Sequence, residues 1–108
     1  MKFLVFIEQR EGKIRKASLE ALSLARRLSG GPVAAVLPGK GVTPLAKDLG
    51  KYGAATVYVA DRDDLALYSN KGYVGALDLA TQKESPDAVL IAATAMGKDL
   101  APRFAARH

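Results

Sequence analysis

The sequence has no cysteine and no tryptophan, and its one histidine, His108, is the last residue. Without Cys there is no thiol nucleophile, disulfide, iron–sulfur cluster or Cys-based zinc site. With a single His at that position, a His-centred acid–base or metal site inside the fold is excluded as well. Three Phe and four Tyr hold the aromatics to 6%, too few for a base-stacking nucleic-acid surface. No apolar run approaches the roughly 20 residues needed to cross a membrane. The run Phe3–Ile7 stops at Glu8, short of the roughly 7–15 residues of a secretory h-region. The reading is therefore no nucleic acid, no membrane and a cytoplasmic location.

What is present describes one globular domain. The chain has 108 residues, 49% apolar and 25% charged, and two domains of half that length would each be too small to hold a core. The net charge is +5. Seven Lys/Arg against three acids fall in residues 1–30, while residues 31–86 balance at six of each. The excess includes Arg10, Lys13, Arg15 and Lys16, which either attract an anion or an acidic partner or form a solvated basic loop.

Apolar runs alternate with helical patterns. Phe3–Ile7 reads as a strand covered on both faces, and Val33–Leu37, Thr56–Ala60 and Ala88–Ala93 as three further apolar strands. Glu8–Lys13 reads as a loop. Ala17–Ser29 reads as a helix with Ala21, Leu24, Ala25 and Leu28 on its apolar stripe, stopped by Gly30-Gly31. Val42–Lys51 reads as a short helix, Leu65–Lys83 as a helix broken at Gly72, and Gly97–Arg107 as a last helix. Such β-α alternation predicts a three-layer α/β/α domain with a parallel sheet, its first and fourth strands adjacent at the centre. The chain stops after a helix with no following strand. It is accordingly expected to be a single α/β domain over residues 1–108 that lacks its last strand or strands.

In open parallel sheets, ligands bind beyond the carboxyl ends of the strands where the strand order reverses. The loops that qualify carry Glu8 and Gln9 after the first strand, and Thr94, Ala95, Met96, Gly97 and Lys98 after the fourth. Free N–H groups at a helix start, a Gly permitting close approach and a Lys side chain suit a phosphate. The same residues also suit an ordinary strand-to-helix turn with a solvated Lys. A P-loop is rejected, because Asp99 follows Gly97-Lys98 and Ala92 stands where the first Gly belongs. Gly39-Lys40-Gly41 fails as a dinucleotide fingerprint because Pro44 follows where a Gly or Ala belongs. Asp61, Asp63 and Asp64 could hold Mg²⁺, but Arg62 among them favours helix capping and solubility. Ser18, Ser23, Ser29, Ser69 and Ser85 have no interior His to activate them. The chain lacks the parts of an enzyme.

Several segments carry a resemblance. Phe3-Leu4-Val5-Phe6-Ile7-Glu8-Gln9-Arg10 and Lys16–Ala25 open like the electron transfer flavoprotein alpha subunit. Tyr52-Gly53-Ala54 with Val57–Asp61 fits the same family, and Ala93-Thr94-Ala95-Met96-Gly97-Lys98-Asp99-Leu100-Ala101-Pro102-Arg103, followed by Ala105-Ala106-Arg107, is the most specific stretch. In order and spacing the resemblance covers nearly the whole chain. It implies a nucleotide-binding-type fold of adenine nucleotide alpha hydrolase-like topology. It further implies a heterodimer with a beta subunit, carrying electrons from flavin-linked dehydrogenases to an acceptor through FAD. In that family FAD is held mainly by the alpha C-terminal domain and AMP by the beta subunit. No FAD-site position of the family falls in this chain, so no FAD is expected on it alone. Its expected role is scaffold and subunit contact, with a beta subunit or a second copy as partner. The alternative is a small adenine-nucleotide-binding protein that uses the loops after strands 1 and 4.

Overall fold

A computed structural model describes all of residues 1–108. A central sheet holds four strands: β1 (Phe3–Phe6), β4 (Val33–Gly39), β5 (Ala54–Asp61) and β6 (Ala88–Leu90). Its order is β5-β4-β1-β6, parallel throughout. The first and fourth apolar runs are neighbours, as expected, with Leu4 beside Val89. The centre, however, belongs to β4 and β1, and β6 is an edge.

Helices α1 (Lys16–Ser29) and α2 (Ala46–Lys51) cover one face, and α3 (Asn70–Glu84) and α4 (Ala95–Ala105) cover the other. The period of two along a strand divides each buried run between two cores. Phe3, Val5 and Ile7 join Val33, Ala35 and Leu37 beneath Leu22, Ala25 and Leu49. Leu4 and Phe6 join Ala34 and Val36 beneath Tyr73, Leu77, Leu100 and Phe104. Both faces of β1 and β4 are buried, which is why their sequences show no apolar–polar alternation.

Some local expectations are corrected. The stretch after β1 is a small antiparallel ribbon of β2 (Gln9–Arg10) and β3 (Lys13–Ile14), not a loop. Glu11 (φ 53°) and Gly12 (φ 78°) form its two-residue turn, and two positive φ values in succession mark the turn type that matches the twist of a hairpin. No helix breaks at Gly72. The chain instead makes a 3-10 turn at Asp63–Leu65 and starts α3 at the Ser69 cap, whose Oγ accepts the Gly72 N–H. Residues 43–51 divide into a 3-10 turn, Thr43–Leu45, and α2. On α1 the core face is Ser18, Leu22 and Ala25; Leu24 and Leu28, expected on that stripe, are 41% and 59% exposed. The expected stop is present: Gly30 adopts φ 64° and donates its N–H to the Arg26 carbonyl. No helix is long and apolar enough to cross a membrane.

Candidate functional site

The strand order reverses between β1 and β6, so the switch-point crevice is bounded by the residues that leave these two strands. Glu8 follows β1 and is held at three points. Its N–H donates to the buried Ser18 Oγ (2.8 Å), its carbonyl accepts from the Arg15 N–H (2.9 Å), and its Oε1 accepts from the Thr94 hydroxyl (2.5 Å). Thr94 is also the N-cap of α4, accepting the Gly97 N–H on Oγ1 at 3.0 Å. One hydroxyl thus donates to a carboxylate and accepts from a helix N–H. The Glu8 carboxylate sits where the positive end of the α4 dipole favours an anion.

The other residues of these loops do not converge with Glu8 and Thr94. Gln9 turns away: its Oε1 accepts the Gly12 N–H (3.1 Å), and its amide packs over the end of β4. A Cβ at Gly39 would lie 2.7 Å from the Gln9 Nε2. Ala95 and Lys98 are exposed, and Met96 packs against the α3–α4 core. Gly97 is buried for a reason other than ligand approach. A Cβ there would overlap the carbonyl oxygen of Ala92, so the close approach that demands Gly is made by the protein's own preceding loop.

Two tyrosines that sequence reasoning does not single out lie behind this crevice. Tyr73 lies edge-on to Tyr68, ring centroids 5.0 Å apart, and 6.4 Å from Phe6. Tyr73 donates to the Leu65 carbonyl (3.0 Å), and burial, with the Glu8 carboxylate nearby, raises its pKa. Tyr68 donates to Asp99 Oδ2 (2.6 Å), joining the segment before α3 to α4. Burial and that bond push the Tyr68 hydroxyl well above its ordinary value. Asp99 is correspondingly held below the ordinary carboxylate value, by the Tyr68 bond first and by Arg103 after it. Both phenols stay protonated at neutral pH and act as donors, not bases. Nothing in the sequence marks them, because Tyr68 and Tyr73 are five residues apart across a helix start and meet only in the fold.

The remaining candidates resolve into structural roles. Asp61 accepts from the N–H groups of Gly41 (2.7 Å) and Thr43 (2.9 Å) and from the Thr43 hydroxyl (2.6 Å). It ties the end of β5 back to the loop after β4 and does not cap the next helix. Asp63 pairs with Lys40 and Asp64 with Arg62. Arg10, Lys13, Arg15 and Lys16 are exposed on and beside the ribbon. His108, at the end of the chain, meets the buried Asp78 of α3 (Nε2 to Oδ1, 2.7 Å) and packs on Phe104, ring centroids 4.4 Å apart. Arg107 completes this cluster, its Nε 2.7 Å from the other Asp78 oxygen. The His–Asp pair anchors the chain after α4 onto α3.

Fold and site together define a nucleotide-binding-type α/β domain in which a Glu8–Thr94 hydrogen bond joins the two loops at the switch point. The profile of the electron transfer flavoprotein domain matches residues 3–108, and the chain belongs to that family. It is 46% identical over 101 residues to the electron transfer flavoprotein subunit alpha of Syntrophomonas wolfei, covering 94% of this chain and 32% of that one. Identity is 40% over 107 residues to the subunit alpha of Bacillus subtilis, covering 98% and 33%. It is 42% over 106 residues to the acryloyl-CoA reductase electron transfer subunit beta of Anaerotignum propionicum, covering 95% and 29%. The chain therefore spans about a third of the length of the curated relatives it matches. It is electron transfer flavoprotein alpha-subunit-like, and the resemblance carried by Phe3–Arg10 and Ala93–Arg103 is borne out.

Proposed function

We propose that this domain serves as the scaffold and subunit-contact part of an electron carrier and takes no direct part in redox chemistry. Its partners are a beta subunit and, through the assembled complex, flavin-linked dehydrogenases. One relative is named as the electron transfer subunit of an acryloyl-CoA reductase, which fits a dehydrogenase partner of the acyl-CoA class. FAD belongs to the assembled complex, not to this chain.

The observation that carries this reading is the Glu8–Thr94 hydrogen bond. A nucleotide-binding member of this fold class places a phosphate at a helix start beside the switch point. Here that position already holds a carboxylate, and a phosphate arriving at it would face like charge. Gly97, whose missing side chain would suit a phosphate, instead admits the Ala92 carbonyl. The residues present do not fit a pyrophosphate group, so the reading of Glu8, Gln9 and Thr94–Lys98 as an adenine-nucleotide site is disfavoured.

The test is to purify the chain, dialyse it against excess FAD or AMP, and read retained ligand by absorbance and by mass spectrometry after denaturation. The expected result is neither ligand. Stoichiometric retention of either one overturns the reading.

A further inference from the structure

The basic residues that stand out in the sequence have a place in the fold that the proposed function does not use. Residues 8–53, which build the ribbon, α1 and α2 around β4, carry nine Lys/Arg against four acids, and the rest of the chain carries seven against seven. The whole net charge of +5 therefore lies in this region. Its cations are also largely unpaired. Of the nine, Lys40 alone makes an ion pair, with Asp63, whereas four of the other seven do.

Between the ribbon and α2 runs a groove of about 510 Å³. Its floor is Ile14, Leu19 and Leu45, each half-buried and packed on the core beneath. Lys13 stands on one bank, and Lys51 and the exposed Tyr52 stand on the other. Each bank sets two like charges together. Arg10 and Lys13 are directly opposite in the ribbon, so their side chains share a face. Lys47 and Lys51 are one turn apart on α2 and share a face of that helix. Like charges so placed cost stability, and none of these four cations has an ion-pair partner in the chain. An anionic partner entering the groove offsets both repulsions.

The shape of the groove and its one acid decide what kind of anion belongs there. An anionic membrane is met by apolar side chains that protrude beside the cations. Here the apolar groups are a recessed floor, and the ribbon tip is Arg10-Glu11-Gly12-Lys13. A nucleic-acid strand stacks on a succession of aromatic faces, and Tyr52 is the only ring lining the groove. Asp48, the one carboxylate lining it, repels a phosphate chain but accepts a hydrogen bond from a peptide N–H.

We infer that this groove docks an acidic segment of a partner protein, with a bulky apolar side chain on Ile14, Leu19 and Leu45 and carboxylates reaching the Arg10–Lys13 and Lys47–Lys51 pairs. Tyr52 supplies the amphipathic ring common at such interfaces. The inference goes beyond the proposed function, because it holds whether or not the domain also meets a beta subunit.

Fluorescence anisotropy with the labelled peptide Glu-Asp-Glu-Leu-Phe-Glu-Asp-Glu tests it on the chain. The peptide should bind saturably, and more weakly as salt rises. Lys13→Glu with Lys51→Glu should weaken it at least about tenfold. Lys71→Glu with Lys83→Glu makes the same change in net charge on α3, at two exposed lysines without ion pairs, and should leave affinity within about twofold. Replacing Leu-Phe by Gly-Ser in the peptide should cost at least about tenfold. A peptide that does not bind saturably overturns the inference. So does an equal loss from the Lys71 and Lys83 reversals, or an unchanged affinity for the Gly-Ser peptide, since charge alone would then account for binding. Sedimentation with phosphatidylserine vesicles that Lys13→Glu with Lys51→Glu abolishes overturns it in favour of a lipid surface. None of these readouts involves flavin, AMP or a beta subunit, so failure here is distinct from failure of the proposed function.

Discussion

Gly97 shows how one residue supports two incompatible readings until its neighbours are known. A glycine at a strand-to-helix turn serves a phosphate or a backbone crossing equally well, and only the Ala92 carbonyl, lying where a Cβ would have to go, decides between them. Gly97→Ala should cost about 1–3 kcal/mol, the range for forcing extra volume into a packed site, read as a lower urea midpoint. A change under about 0.5 kcal/mol would mean that the loop yields. Asp61 gives a prediction in pH. Its hydrogen bonds to Thr43 and Gly41 hold its pKa below the ordinary 3.8. A depressed carboxylate contributes stability above its unfolded pKa, and that contribution is lost as pH falls through the folded one. The wild type should therefore lose stability below about pH 4, and Asp61→Asn should flatten the curve there. Equal acid slopes in the two proteins would contradict this assignment.

At the scale of elements, helix α1 is legible in existence and extent, but its buried face is rotated from the one that apolar spacing selects. Spacing picks Ala21, Leu24, Ala25 and Leu28, whereas the helix buries Ser18, Leu22 and Ala25. Ser18 is inside because its hydroxyl accepts the Glu8 N–H, a partnership that hydrophobic periodicity cannot register. In this chain Leu24→Lys and Leu28→Lys should each change stability by no more than about 0.5 kcal/mol, while Leu22→Ala should cost about 2–5 kcal/mol. Chemical denaturation separates these cases, and a large loss from Leu24→Lys would restore the sequence-based face. Gly72 reads as a breaker in the sequence, yet it lies at the third helical position of α3, where its N–H is the donor that the Ser69 cap requires. The ribbon β2–β3 escapes a pattern search because Gln9, Arg10 and Lys13 offer no apolar alternation; its signal is the Glu11-Gly12 turn, with glycine at the second positive φ.

For the whole molecule, alternating apolar runs are enough to predict a parallel sheet with helices on both sides and its first and fourth strands adjacent. Buried strands in such a sheet are legible as unbroken apolar runs, since both faces exclude water. Of the candidate site, the two loops are legible in the sequence but the contact between them is not. Glu8 and Thr94 each fall on the proper loop, yet their hydrogen bond joins residues far apart in sequence and cannot be read from either segment. That bond sets a carboxylate beside the start of α4, which is the observation behind the proposed scaffold role. The most direct measurement is sedimentation of this chain mixed with the beta subunit of a family member, in the absence of added flavin. The account predicts a 1:1 complex with no flavin absorbance of its own. A chain that sediments alone at every ratio while retaining flavin would contradict it.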